Sequence, residues 1–137
     1  MLLQKFLSTK DVSGSLASFG LLVFRVAICT MMLTHGLNKL SNFSTLSPNF
    51  DPIGLGGTLS LSLVIFAEVF CSIALLLGLF TRLAVIPLMV AMCVAVFVTH
   101  AGQAFATKEL ALLYLTFYVV LFIIGPGRFS IDRLLWK

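Results

Sequence analysis

Four long apolar stretches dominate this chain, and they leave it one solvent to fold in. The stretches run over about residues 16–40, 57–80, 83–100 and 109–125. Each has the length a helix needs to cross a hydrocarbon layer of about 30 Å. Of 137 residues, 60% are hydrophobic and only 10% charged, against about a quarter charged in an ordinary soluble domain. Too few charges exist to coat so much apolar surface, so the chain reads as an integral membrane protein. In lipid the backbone must satisfy itself, by helices or by a closed barrel. None of the stretches alternates polar and apolar residues, so helices are expected. The expected fold is all-α: a single integral membrane domain over residues 1–137, built as a four-helix transmembrane bundle in up-down topology.

The breaks between the stretches carry turn chemistry. The segment "SNFSTLSPNFDPIGLGG", from Ser41 to Gly57, holds Pro48, Pro52, Asn42, Asn49 and Asp51 and reads as a loop. Its Phe43, Leu46, Phe50 and Ile53 suit a loop resting on the membrane surface. "GLFTR" (Gly78 to Arg82) and "AGQAFATKE" (Ala101 to Glu109) read as turns, and "GPGR" (Gly125 to Arg128) ends the last helix. The first stretch is too long for the apolar core of a cleavable signal peptide, and no cleavage site follows it. Basic residues set the orientation. Lys5, Lys10, Arg82, Arg128, Arg133 and Lys137 fall on one side, and Lys39 and Lys108 on the other. Both termini are therefore expected in the cytoplasm. The net charge of +4 is a topology signal and an affinity for anionic headgroups. No basic cluster with interleaved aromatics points to nucleic acid.

Charges inside the apolar stretches are the candidate functional residues, because a charge facing lipid costs at least about 2.5 kcal/mol. On a helical wheel Cys29, Met32, Gly36 and Lys39 fall within about 40° of Arg25, and His35 within about 80°. This polar stripe must face the other helices. Glu68 is the acid of the second stretch, and an Arg25–Glu68 pair is expected. A second cluster gathers at the opposite ends: Thr34, His35, Asn38 and Lys39, then Thr99, His100 and Gln103, then Lys108 and Glu109. Here a Lys39–Glu109 pair is expected. Arg25, His35, Lys39, Glu68, His100 and Glu109 are the candidate ligand-binding residues, and the two pairs are equally readable as architectural clamps. His35 and His100 are readable as interfacial polar side chains, and bis-histidine haem ligation lacks the second pair that electron transfer would need. Tyr114 and Tyr118 read as packing. Cys29, Cys71 and Cys93 form no CxxC or zinc spacing, and no metal site is expected. Nucleophile-elbow, phosphate-loop and zinc-protease motifs are absent, so no catalysis by the chain alone is expected.

Three segments together carry a family resemblance: "FRVAICTMMLTHGLNKL", "AEVFCSIALLLGLFTRLA" and "KELALLYLTFYVVLFIIGPGRFSID". The most specific parts are the "HG..KL" ending of the first helix, the glutamate before "LLLGLFTR" and the terminal "GPGRFSID". Over about Phe19 to Asp132 the chain resembles the DoxX family of small four-helix bacterial inner-membrane proteins. The family takes its name from a component linked to archaeal quinol and thiosulfate oxidation, and members are associated with membrane complexes handling oxidative and thiol stress. The resemblance marks Arg25, Gly36, Lys39, Glu68, Gly78, Arg82, Glu109 and Arg128 as the family's recurrent polar positions. It implies a subunit of a redox complex in the bacterial inner membrane, with a protein partner and a quinone-like or lipid-like molecule bound in the bundle. The alternative is a scaffold, carrier or chaperone module, monomeric or homo-oligomeric, whose buried pairs are structural.

Overall fold

The computed structural model describes Leu2 and residues 14–136; Lys5, Lys10 and Lys137 lie outside them. Among the described residues four helices are long and apolar enough to cross a membrane: Ser15–Ser41, Gly57–Leu77, Thr81–Thr99 and Phe105–Ile124. Two short helices, Phe43–Leu46 and Ile131–Leu135, follow the first and last spans. No strand occurs among the described residues.

The ends of the spans follow from local chemistry. The second span stops at Leu77, three residues before the expected Phe80. Gly78 takes a left-handed φ of 69°. Its N–H donates to the Leu75 carbonyl (3.0 Å), and that of Leu79 to the Ala74 carbonyl (2.8 Å). This pair of bonds is the Schellman ending that glycine favours. Phe80, also left-handed at φ 46°, completes the reversal into the third span. The fourth span begins at Phe105 rather than 109, taking Lys108 and Glu109 into its first turns.

Helical regularity breaks twice. Phe66–Cys71 and Ala95–Thr99 are π-helical turns within the second and third spans. Such turns insert an extra residue and re-aim the side chains around it, and they recur at functional sites.

The second span is the most enclosed: half of its apolar window is buried, against 22% for the first and fourth. Leu75, Val85, Leu88, Tyr118 and Leu121 are fully buried at the centre. The third and fourth spans pack along each other, and the first packs on the second. The first and fourth meet through side chains, with the Phe24 and Phe117 rings 4.7 Å apart and the His35 and Tyr114 rings 6.1 Å apart. Outward faces carry Phe19, Phe70, Phe97, Leu113 and Ile123, each more than half exposed, as lipid contact requires. Exposed hydroxyls on those faces satisfy themselves on their own helix. Thr30 bonds the Val26 carbonyl (2.7 Å), Ser62 that of Thr58 (2.6 Å) and Thr116 that of Leu112 (2.8 Å).

The loop after the first span is partly folded inward. Phe43 and Phe50 pack on Leu61, Ile65 and Val69, while Leu46 and Ile53 are exposed.

Candidate functional site

The polar residues of the spans separate into two clusters, and their pairing differs from the expected one. Arg25 is 1% exposed, but its partners are backbone carbonyls. Nη1 donates to Pro126 O and Nη2 to Phe129 O (2.6 Å). Glu68 is out of its reach. A Cβ placed on Gly36 would lie 2.8 Å from the Glu68 Cβ, so Glu68 sits level with Gly36. Gly36 is eleven residues above Arg25, about 16 Å along the helix. An arginine stem covers nothing like that distance.

Around Arg25 the chain end closes the bundle like a clasp. Asp132, 1% exposed, accepts from the N–H groups of Phe80 (2.6 Å) and Thr81 (2.8 Å). It thereby caps the third span from 51 residues away, meeting donors that the helix start leaves orphaned. Arg82 returns the service to the fourth span, donating to Phe122 O and Ile123 O, each at 3.1 Å. Arg128 donates to Ser15 Oγ (2.9 Å) at the start of the first span. Gly78 is held to glycine twice over, by its positive φ and because a Cβ there would strike Ser130. Arg25, Gly78, Arg82 and Arg128, four of the positions marked by the resemblance, thus all lie at the clasp.

The other cluster forms a pocket. Lys39 Nζ lies 2.7 Å from Glu68 Oε2, with the Lys39 side chain 25% exposed and that of Glu68 5%. This replaces the expected Lys39–Glu109 pair; Glu109 is exposed on the fourth span. Two local features bring the partners together. Gly36 lets the first span press against the second, where any side chain would meet Glu68 and Val69. The π-helical turn Phe66–Cys71 carries Glu68 at its centre and turns it toward the first span. The pocket has a volume of about 150 Å³ and draws on all four spans. Met32, His35 and Lys39 come from the first, Glu68 from the second, Met92 and Ala95 from the third, and Leu110, Ala111 and Tyr114 from the fourth. His35 of the first span and Leu110 of the fourth are the exposed members of this lining. Tyr114 is buried and stacks on Tyr118 with centroids 6.2 Å apart.

Of the six candidate ligand-binding residues, the structure brings His35, Lys39 and Glu68 to one pocket. Arg25 belongs to the clasp. His100 bonds Gln103 (Nδ1 to Oε1, 2.9 Å) and does not line the pocket; nor does Glu109. Tyr114, Met32 and Met92 are additions. Met32 lay on the Arg25 stripe, and Tyr114 was visible only as one of a pair of tyrosines four apart. Among the described residues no group of three His, Cys, Asp or Glu could hold a metal ion. Chemically the pocket offers a carboxylate, an ammonium, an imidazole, a phenol and two thioethers within apolar walls. Its opposite charges cancel, so it suits a neutral, hydrogen-bonding group.

The DoxX family model matches residues 20–101, which take in the first span from Gly20, the second and third spans, and most of the pocket. The chain belongs to the DoxX family. This DoxX chain is 30% identical over 126 residues to the inner membrane protein YqjF of Escherichia coli (strain K12), covering 89% of the chain and 96% of that relative. It is 29% identical over 135 residues to the uncharacterized membrane protein Rv3486 of Mycobacterium tuberculosis (strain ATCC 25618 / H37Rv), covering 82% of the chain and 79% of that relative. No solved structure matches it. Four apolar spans and an inner-membrane relative together make this DoxX protein a multi-pass protein of the bacterial inner membrane.

Proposed function

We propose that this DoxX chain is an accessory subunit of a membrane redox or oxidative-stress complex, and that its pocket holds the head of a quinone-like or lipid-like molecule. The observation that carries this reading is the Lys39–Glu68 pair at 2.7 Å. It sits on a π-helical turn, in a pocket that opens between the first and fourth spans. Lys39 uses one ammonium proton on Glu68, and the others can donate to a carbonyl or hydroxyl of the head. Glu68 Oε1 can accept from a hydroxyl, and Tyr114 forms one wall. Methionine thioethers pack against flat rings. A cavity of about 150 Å³ is of the size that takes a single six-membered ring. The tail leaves between the first and fourth spans into the bilayer. In this reading the redox chemistry belongs to the bound molecule or to a protein partner. We further propose that the chain is a single integral domain with the clasp end, and so both termini, in the cytoplasm. Arg82, Arg128 and Arg133 at that end support this.

Mass spectrometry of small molecules extracted from gently solubilised protein tests the reading. A stoichiometric quinone-like or lipid-like compound is expected, retained by wild type and lost from Glu68→Gln and Lys39→Met at unchanged helix content. If both variants keep every bound compound and only unfold earlier, the pair is a structural clamp. The scaffold reading then replaces this one.

A further inference from the structure

Between the pocket and the clasp the bundle interior contains hydroxyls that the protein leaves unmet. Ser72 Oγ, Tyr118 OH and Arg25 Nε are buried and have no hydrogen-bond partner among the protein's atoms, and Ser18 Oγ and Thr81 Oγ1 share that condition beside the clasp. Their residues are 1% exposed or less, and they come from all four spans.

The contrast with the lipid faces is informative. There Thr30, Ser62 and Thr116 each bond a carbonyl of their own helix, four residues back. That bond is available to any serine or threonine in a helix. Ser72, directly after the π-helical turn, makes no such bond and is buried. Native interiors rarely leave such groups unmet, and ordered water is the usual partner where protein supplies none.

The placement is consistent from span to span. Ser72 lies one turn below Glu68 on the second span, and Tyr118 one turn below Tyr114 on the fourth. Both upper residues line the pocket. Arg25 lies a further turn or two down, on the buried face of the first span. Arg25 lies about 16 Å below the level of Glu68, and so about two further turns below Ser72 and Tyr118.

We infer that this half of the bundle binds internal water at two levels, one at Ser72 and Tyr118 beneath the Lys39–Glu68 pocket and one at the Nε of Arg25 by the clasp. The ligand class is water alone. The inference does not depend on what occupies the pocket.

X-ray radiolytic labelling in ¹⁸O-water, on the full chain in lipid nanodiscs, reads buried water directly. Tyr118 is expected to take up ¹⁸O several-fold faster than its buried neighbour Phe117, after correction for intrinsic reactivity. Ser72→Ala should slow labelling at Tyr118. Equal, background-level labelling of Tyr118 and Phe117 would overturn the inference. A second measurement covers weak labelling. Removing a hydroxyl that truly lacks a partner stabilises, whereas removing one that binds water destabilises. Melting points of Ser72→Ala and Tyr118→Phe are expected to fall; a rise in both sinks the water site, whatever the pocket is then found to bind.

Discussion

At position 39 a lysine meets an acid from the second span, and the pair is more exposed on one side than the other. Glu68 is nearly closed off, while Lys39 keeps a quarter of its side chain exposed. Removing Lys39 therefore strands a buried carboxylate. Lys39→Met is expected to destabilise toward the lower end of about 3–5 kcal/mol, read from denaturant unfolding in detergent. Lys39→Met combined with Glu68→Gln should recover most of that loss, because no unpaired charge is left inside. Gly36 is the other decisive residue. An added Cβ would stand 2.8 Å from both Glu68 Cβ and Val69 Cγ2. Gly36→Ala should cost about 1–3 kcal/mol as overpacking and should also release whatever the pocket holds, a joint effect that unfolding and extraction measured side by side would reveal.

At the level of elements, span boundaries were readable from apolar length and turn residues, and they agree with the structure to within a few residues at most ends. The depth of a side chain was not readable. An Arg25–Glu68 pair requires the two residues to lie at similar depth, and the structure separates them. In the structure eleven residues of the second span precede Glu68, whereas Ser41 is only five beyond Gly36. The second span therefore continues outward past the first, where Phe43 and Phe50 cover it. The partners of Arg25 were illegible for a different reason: they are carbonyls, which every residue carries and no letter of the sequence marks. Asp132 shows the same blind spot, since a cap imported from 51 residues away has no local signature. Asp132→Ala should cost about 0.5–2 kcal/mol, the worth of a helix cap, with Asp132→Asn recovering part. Limited proteolysis is the sharper measurement: the alanine variant should be cut after Ile124 sooner than wild type.

Across the whole molecule the clasp and the pocket occupy opposite halves, and this gives orientation a direct readout. With Cys29, Cys71 and Cys93 replaced by alanine, a cysteine at exposed Gly102, where nothing lies within 4 Å, should react with an impermeant thiol reagent added to intact spheroplasts. A cysteine at Arg128 should react only after lysis. The reverse pattern would invert the proposed topology. The carbonyls that receive Arg25 bear on assembly as well as on shape. They lie 101 and 104 residues downstream, so the first span enters the bilayer long before they are made. At roughly 5–20 residues per second, the nascent helix waits on the order of 5–20 s with its guanidinium unanswered. Insertion machinery must shelter it for that interval, and a message truncated before codon 126 should yield a protein that quality-control proteases clear rather than a smaller, stable one.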